Sequence, residues 1–251
     1  MKPMRIGDLF KQYLEHLFWG KRSEARGVVM AAQDRGVPAR KLLKGVIWPA
    51  MEQVDKLFRD NHISRVVEHM ATRINRTVAD QLQPYLARKP KSGKRMIVVC
   101  GKRETEELGA QITADLFEAE GWSVWLLGTG VPNDEVLQLV GALQPDVLTI
   151  YGASPGDIPA VRKLIELNRE VGSCEGMQIM VVGGVFNRAE GLADEVRSDL
   201  SARNVEDALR AVDRHPVRVE RPDVPEPGRR RKRKTAGRKR ARARAKATVG
   251  A

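Results

Sequence analysis

Four short apolar runs govern what this chain can fold into: residues 96–100 (MIVVC), 123–127 (SVWLL), 146–150 (DVLTI) and 178–182 (QIMVV). Helical patterns at 106–119, 133–143 and 158–171 separate them, and another covers 205–212. Strands that are apolar along most of their length are buried on both faces, and a strand–helix alternation delivers them parallel. The middle of the chain therefore predicts an α/β fold, a doubly wound parallel sheet with helices on both faces. Such sheets bind ligands outside the carboxyl ends of their strands, near the point where strand order reverses. That directs attention to the segments 101–107, 128–133, 151–157 and 183–188.

Residues 1–89 carry helical periodicity instead. Leu9, Tyr13, Leu17 and Phe18 recur at helical spacing, Gly20 supplies a stop, and a second helix over 24–34 ends near Gly36. Pro38 can open a third helix, where Leu42, Val46, Ile47, Ala50, Met51, Val54 and Leu57 form a broad stripe. Pro49 lies within it, removes a ladder hydrogen bond and predicts a kink. Ser64 is placed to cap a fourth helix with Val67, Met70, Ala71, Ile74, Val78 and Leu82 facing inward. Short connections predict an antiparallel four-helix bundle ahead of the α/β domain at 94–215.

From residue 216 the hydrophobic content falls, and ERPDVPEPG has the composition of a linker. Twelve of the 44 Lys and Arg lie in residues 229–246, which hold no acid, so the rest of the chain balances its 32 Asp and Glu and the net charge of +12 belongs to the tail. Residues 216–251 cannot bury a core and are expected to be a disordered basic tail. Arg229, Arg230, Arg231, Lys232, Arg233, Lys234, Arg238, Lys239 and Arg240 are its candidate nucleic-acid contacts, acting through counterion release without base specificity. No aromatic is interleaved for stacking on bases. The plainer alternative is a solubilising segment.

No apolar run approaches the roughly 18 to 20 residues of a spanning helix, and MKPMRIGDLF lacks a signal peptide's apolar region. A cytoplasmic protein without a membrane partner is expected. Cys100 and Cys174 sit in no paired motif, which fits a reducing compartment and argues against structural zinc. No nucleophile, base and orienting group recur at a recognisable spacing, so neither catalysis nor a metal site is expected.

Four landmarks follow the helical region in order: GKRETEELG, EAEGWSVWLLGTGVPNDE, QPDVLTIYGAS and VVGGVF. Together they resemble the cobalamin-binding module, over roughly residues 8–214. The resemblance implies a four-helix cap above a flavodoxin-like domain that holds a corrinoid at its strand ends. The segment ADLFEAEGWSVWLLG looks closest to sensory and regulatory members. Those members carry a tryptophan ten residues before a Glu-His pair, over the upper face of the corrin, which here corresponds to Phe58 with Glu68 and His69. The resemblance also implies cofactor contacts at Gly109, Thr129, Ser154, Gly183 and Gly184.

Two positions depart from the family. Its signature is an acid, any residue, His, two residues and Gly, and its histidine is the lower axial ligand of cobalt. Counting back from Gly109 puts the acid at Glu104 and the histidine position at Glu106. A carboxylate is a harder ligand than imidazole, and when ionised it has no N–H for Glu104 to accept. A corrinoid bound here is thus expected to have no protein histidine on cobalt. Tyr151 replaces a serine that lines the tunnel for the nucleotide tail, and its phenol is expected to fill part of that space.

The expected function is a non-enzymatic, cobalamin-binding sensory or regulatory module whose tail reaches nucleic acid, with a protein partner or second copy of the chain also possible. A degenerate scaffold that kept the fold for protein contacts is the alternative. A methyl-transfer carrier ranks third because it relies on the missing histidine. Plainer readings stand beside the site residues: Glu104 and Glu106 as solvated acids at a helix start, His69 as a packing residue, and Trp122 and Trp125 as core and sheet-edge packing.

Overall fold

The computed structural model describes residues 5–100, 104–152 and 154–215, without the side chains of 104–106. The basic tail and its nine candidate nucleic-acid residues lie outside the described residues.

The cap consists of α1 (Ile6–Phe18), α2 (Arg22–Asp34), α3 (Ala39–Leu42), α4 (Trp48–Arg59) and α5 (Arg65–Leu82). Gly20 ends the first helix at φ +64, a conformation that costs other residues strain. Ser64 caps α5 by accepting the Val67 N–H at 3.4 Å. Leu9, Tyr13 and Leu17 face Val29, Val46, Ile47, Ile74 and Val78 across the bundle core. One inward assignment on α5 is corrected: Met70 is 39% exposed, and Glu68 takes the buried place.

The kink expected at Pro49 takes a different form. Residues Leu43–Ile47 open into a π-turn, in which the Trp48 N–H donates to the Leu43 carbonyl. Pro49 has no N–H, and its ring would collide with the carbonyl four residues back, so a wider turn relieves both problems.

The second half runs β1 (Arg95–Cys100), α6 (Glu104–Ala119), β2 (Ser123–Leu126), α7 (Asn133–Leu143), β3 (Val147–Tyr151), α8 (Ile158–Val171), β4 (Gln178–Val182), α9 (Gly184–Arg188), α10 (Leu192–Glu195), β5 (Leu200–Ala202) and α11 (Val205–Arg214). The described strands are all parallel in the order β2-β1-β3-β4-β5, a flavodoxin-like arrangement with its reversal between β1 and β3. Sequence patterning missed β5, whose three residues include exposed Ser201 and form no apolar run. Met96, Val98, Val147, Tyr151, Met180 and Val182 face the layer of α6 and α11, which is continuous with the cap core. Their neighbours Ile97, Val99, Leu148, Ile150, Ile179 and Val181 face α7 and α8. Trp122 packs edge-on against Phe117 at 5.3 Å, and Trp125 lies partly buried on the edge strand β2.

Candidate cofactor site at the strand ends

Two loops meet at the carboxyl end of the sheet because one of them has no side chain. Gly183 follows β4 at φ +119, and a Cβ there would overlap the carbonyl of Gly152. The Gly152 N–H donates to the Val182 carbonyl at 2.9 Å, which joins the ends of β3 and β4. Gly184 then opens α9, with the Arg188 guanidinium close against it.

Tyr151 is the last residue of β3, one position beyond the expected strand end, and is 4% exposed. Its ring and hydroxyl occupy the place a Cβ on Gly109 would need. The ring also meets Trp48 of the cap edge to face, with centroids 6.5 Å apart. The phenol therefore joins three parts of the molecule: the sheet end, α6 and the cap.

Between cap and sheet a cleft of about 40 Å³ remains, lined by Trp48, Met51, Glu52 and Asp55 on α4 and by Tyr151, Gly183, Gly184, Asn187 and Arg203 below. The Trp48 indole N–H donates to the Glu52 carboxylate at 2.9 Å. Asp55 lies 3.2 Å from Arg59 and 3.8 Å from Arg188, so one acid links the cap to α9. On α5, Arg76 pairs with Glu107 at 2.7 Å and donates to Gln111 at 3.3 Å, both on α6. Behind Trp48 a second cavity of about 340 Å³ is walled by Leu43, Pro49, Ile112, Leu116 and Val205.

Only part of the expected site assembles here. Phe58, Glu68 and His69 do not line the cleft. Phe58 is partly buried, Glu68 is buried, and His69 is 53% exposed with Nε2 3.6 Å from the Glu68 carboxylate. The cap aromatic that meets the sheet is Trp48. Ser154 is committed to its own turn, accepting the Gly156 N–H at 3.4 Å while its N–H donates to Asp157 at 3.1 Å. Thr129 is exposed in the loop after β2. Glu104 and Glu106 stand in the first turn of α6, and their side chains lie outside the described residues. Asn187 and Arg188 lie in the strand-end segment 183–188 that the sequence singles out, though not by name. Sequence reasoning missed Trp48, Asp55 and Arg203, with Pro49, next to Trp48, as a local signal.

The corrinoid implied by the sequence resemblance can be tested against these residues. Trp48, Met51 and Tyr151 suit the faces of a macrocycle, while Glu52, Asp55, Asn187 and Arg203 suit its amide-bearing rim. Among the described residues no imidazole lines the cleft, and the position of the family's ligand histidine is Glu106, so a protein nitrogen on cobalt is not part of the fit. Among the described residues no group of three His, Cys, Asp or Glu is placed to hold a metal ion. The volume of about 40 Å³ is near one water's share, whereas cofactor pockets run to about 300–1,000 Å³. A ring would need a wider opening between cap and sheet than this cleft provides, and cavities of about 340 and 210 Å³ adjoin it at Trp48 and Tyr151.

Two family models match the chain, both described as a B12 binding domain, one over residues 94–213 and one over 9–83. Dimethylamine corrinoid protein 1 of Methanosarcina acetivorans is 22% identical over 197 residues, covering 74% of this chain and 92% of that protein. Dimethylamine corrinoid protein 1 of Methanosarcina mazei is 23% identical over 209 residues, covering 80% of this chain and 93% of that protein. The solved monomethylamine corrinoid protein of Methanosarcina barkeri shares the fold at TM-score 0.72 and 16% identity, over 82% of this chain and 97% of that one. No helix among the described residues is long and apolar enough to cross a membrane.

Proposed function

This chain belongs to the B12-binding family, whose cofactor is cobalamin or another corrinoid, and from that membership we propose that it is a non-catalytic corrinoid-holding module whose cobalt takes no ligand from the protein. The observation that carries the reading is the strand-end site itself, where Gly183 lets the loops after β3 and β4 meet beneath a cap aromatic, one strand over from the sheet's point of reversal between β1 and β3. A bound corrinoid supplies axial coordination chemistry at cobalt. The protein's part is to hold it: Trp48, Met51 and Tyr151 exclude water from the ring, and Asp55, Asn187 and Arg203 offer hydrogen bonds to its rim. Titration with hydroxocobalamin is expected to leave a chromophore that survives gel filtration, with the spectrum of cobalamin whose own nucleotide base remains on cobalt. A histidine-ligated spectrum, or no retained chromophore at saturating ligand, counts against the proposal.

Two uses of the bound cofactor follow from different observations. Glu106 at the histidine position and the cationic tail support a regulatory module. The curated relatives, named as dimethylamine corrinoid proteins, support a methyl-group carrier and raise that reading above the degenerate scaffold. The regulatory reading needs the tail. Deletion of residues 229–251 is expected to abolish retention on duplex DNA at low salt while corrinoid binding persists. Unchanged retention would remove the tail's role and leave the carrier reading in front.

A further inference from the structure

We infer that Trp48 is the cap residue facing the corrin ring and that Asn75 and Tyr13 are positioning residues that set it, an inference that rests on the corrinoid reading above. Pro49 lacks an N–H, and that absence goes with the π-turn at Leu43–Ile47. One additional residue in a turn rotates everything after it by about 100° relative to a regular helix. The following helix therefore begins with Trp48 turned toward Tyr151 at the strand ends.

The turn is held by a buried polar chain. The Asn75 Nδ2 donates to the Ile47 carbonyl at 3.0 Å, and the Tyr13 hydroxyl donates to Asn75 Oδ1 at 2.9 Å. Both side chains are essentially inaccessible, and burial keeps the Tyr13 phenol well above its ordinary ionisation range, so it remains a donor. An amide and a phenol inside an apolar bundle are costly unless fully hydrogen-bonded, and a bundle that only had to pack would do as well with leucines. Their partner here is the last carbonyl of the π-turn. Downstream, Glu52 accepts the indole N–H and fixes the ring about its own axis. The indole has the cleft before it and the cavity of about 340 Å³ behind it, so it can give way to a ring and still wall the enlarged site.

The test is hydroxocobalamin binding by the full-length chain, followed by absorbance, with melting curves confirming that each variant folds. Trp48→Leu is expected to raise Kd about tenfold and Trp48→Phe by less, since an aromatic face remains. Trp19→Leu, at an exposed site away from the cleft, should leave Kd unchanged. Asn75→Leu is expected to weaken binding in the natural chain but to add nothing in the Trp48→Leu background, because both act through the same indole. A purely structural Asn75 would lower stability without that coupling. A Phe58→Leu variant weaker than Trp48→Leu, unchanged affinity in both Trp48 variants, or additive Asn75 and Trp48 effects would overturn the inference. Absence of binding by the natural chain would overturn the corrinoid reading first.

Discussion

Gly109→Ala is expected to cost about 2 kcal/mol in the natural chain and to become mildly stabilising once Tyr151 is serine. Two effects oppose each other at this position. Alanine is favoured over glycine in a helix interior by up to about 1 kcal/mol, and Gly109 lies inside α6. Against that, its Cβ would overlap the Tyr151 hydroxyl and ring, and overpacking a filled core costs about 1–3 kcal/mol or more. The phenol is buried with the Trp48 ring edge-on against it, so a retreat into the adjoining cavity of about 210 Å³ would give up that contact and its present rotamer. The helix is also tied to α5, through the Arg76–Glu107 ion pair at 2.7 Å. The steric term therefore wins. Tyr151→Ser removes the obstacle and leaves only the helix preference, so the sign reverses. Thermal melts would read the loss as a drop of about 4–8 °C in Tm. Equal effects of Gly109→Ala in the two backgrounds would mean that the glycine is there for something other than Tyr151, such as a ligand's close approach.

This pair also shows where sequence reading stops. Apolar runs located β1 to β4 because a buried parallel strand must be apolar along its length, whereas the short edge strand β5 needs only Leu200 and Ala202 buried. Glycines and caps placed helix ends through local backbone geometry, as at Gly20 and Ser64. The spacing to Gly109 and the Gly183–Gly184 pair were legible because both express backbone constraints. What faces the cap was not. The family resemblance puts Phe58, Glu68 and His69 above the ring, but the face a helix presents depends on every turn before it, and the π-turn at Leu43–Ile47 brings Trp48 to the sheet. The Asp55 and Arg188 contact depends on how two distant segments pack, which no local pattern encodes.

Asp115→Asn is expected to stabilise the protein above pH 7 and to flatten its dependence on pH. Asp115 lies on α6, one turn beyond Gln111, and its Oδ2 is buried without a hydrogen-bond partner. Burial first, then repulsion from Glu118 and from Asp80 on α5, push its carboxyl up to about 7, while Gln111 and Arg88 only partly offset them. The sign follows from which state holds the proton. Near pH 3 both folded and unfolded chains are protonated there. As pH rises from 4 to 7 the unfolded chain releases its proton and the folded one keeps it, so stability falls across that window and then levels off. Linkage sets an upper bound of about 4 kcal/mol, and partial solvent access reduces the expected loss to about 2 kcal/mol. Asparagine keeps the shape and the hydrogen-bonding capacity but cannot ionise. Its Tm at pH 8 is expected to exceed that of the natural chain by about 4–8 °C, with the difference closing toward pH 4. Parallel Tm profiles for the two proteins would place the carboxyl in ordinary solvent. Convergence at low pH would place the uncompensated carboxyl inside α6, near the Gln111 that Arg76 of α5 also reaches, with its cost built up between pH 4 and 7 and constant above that.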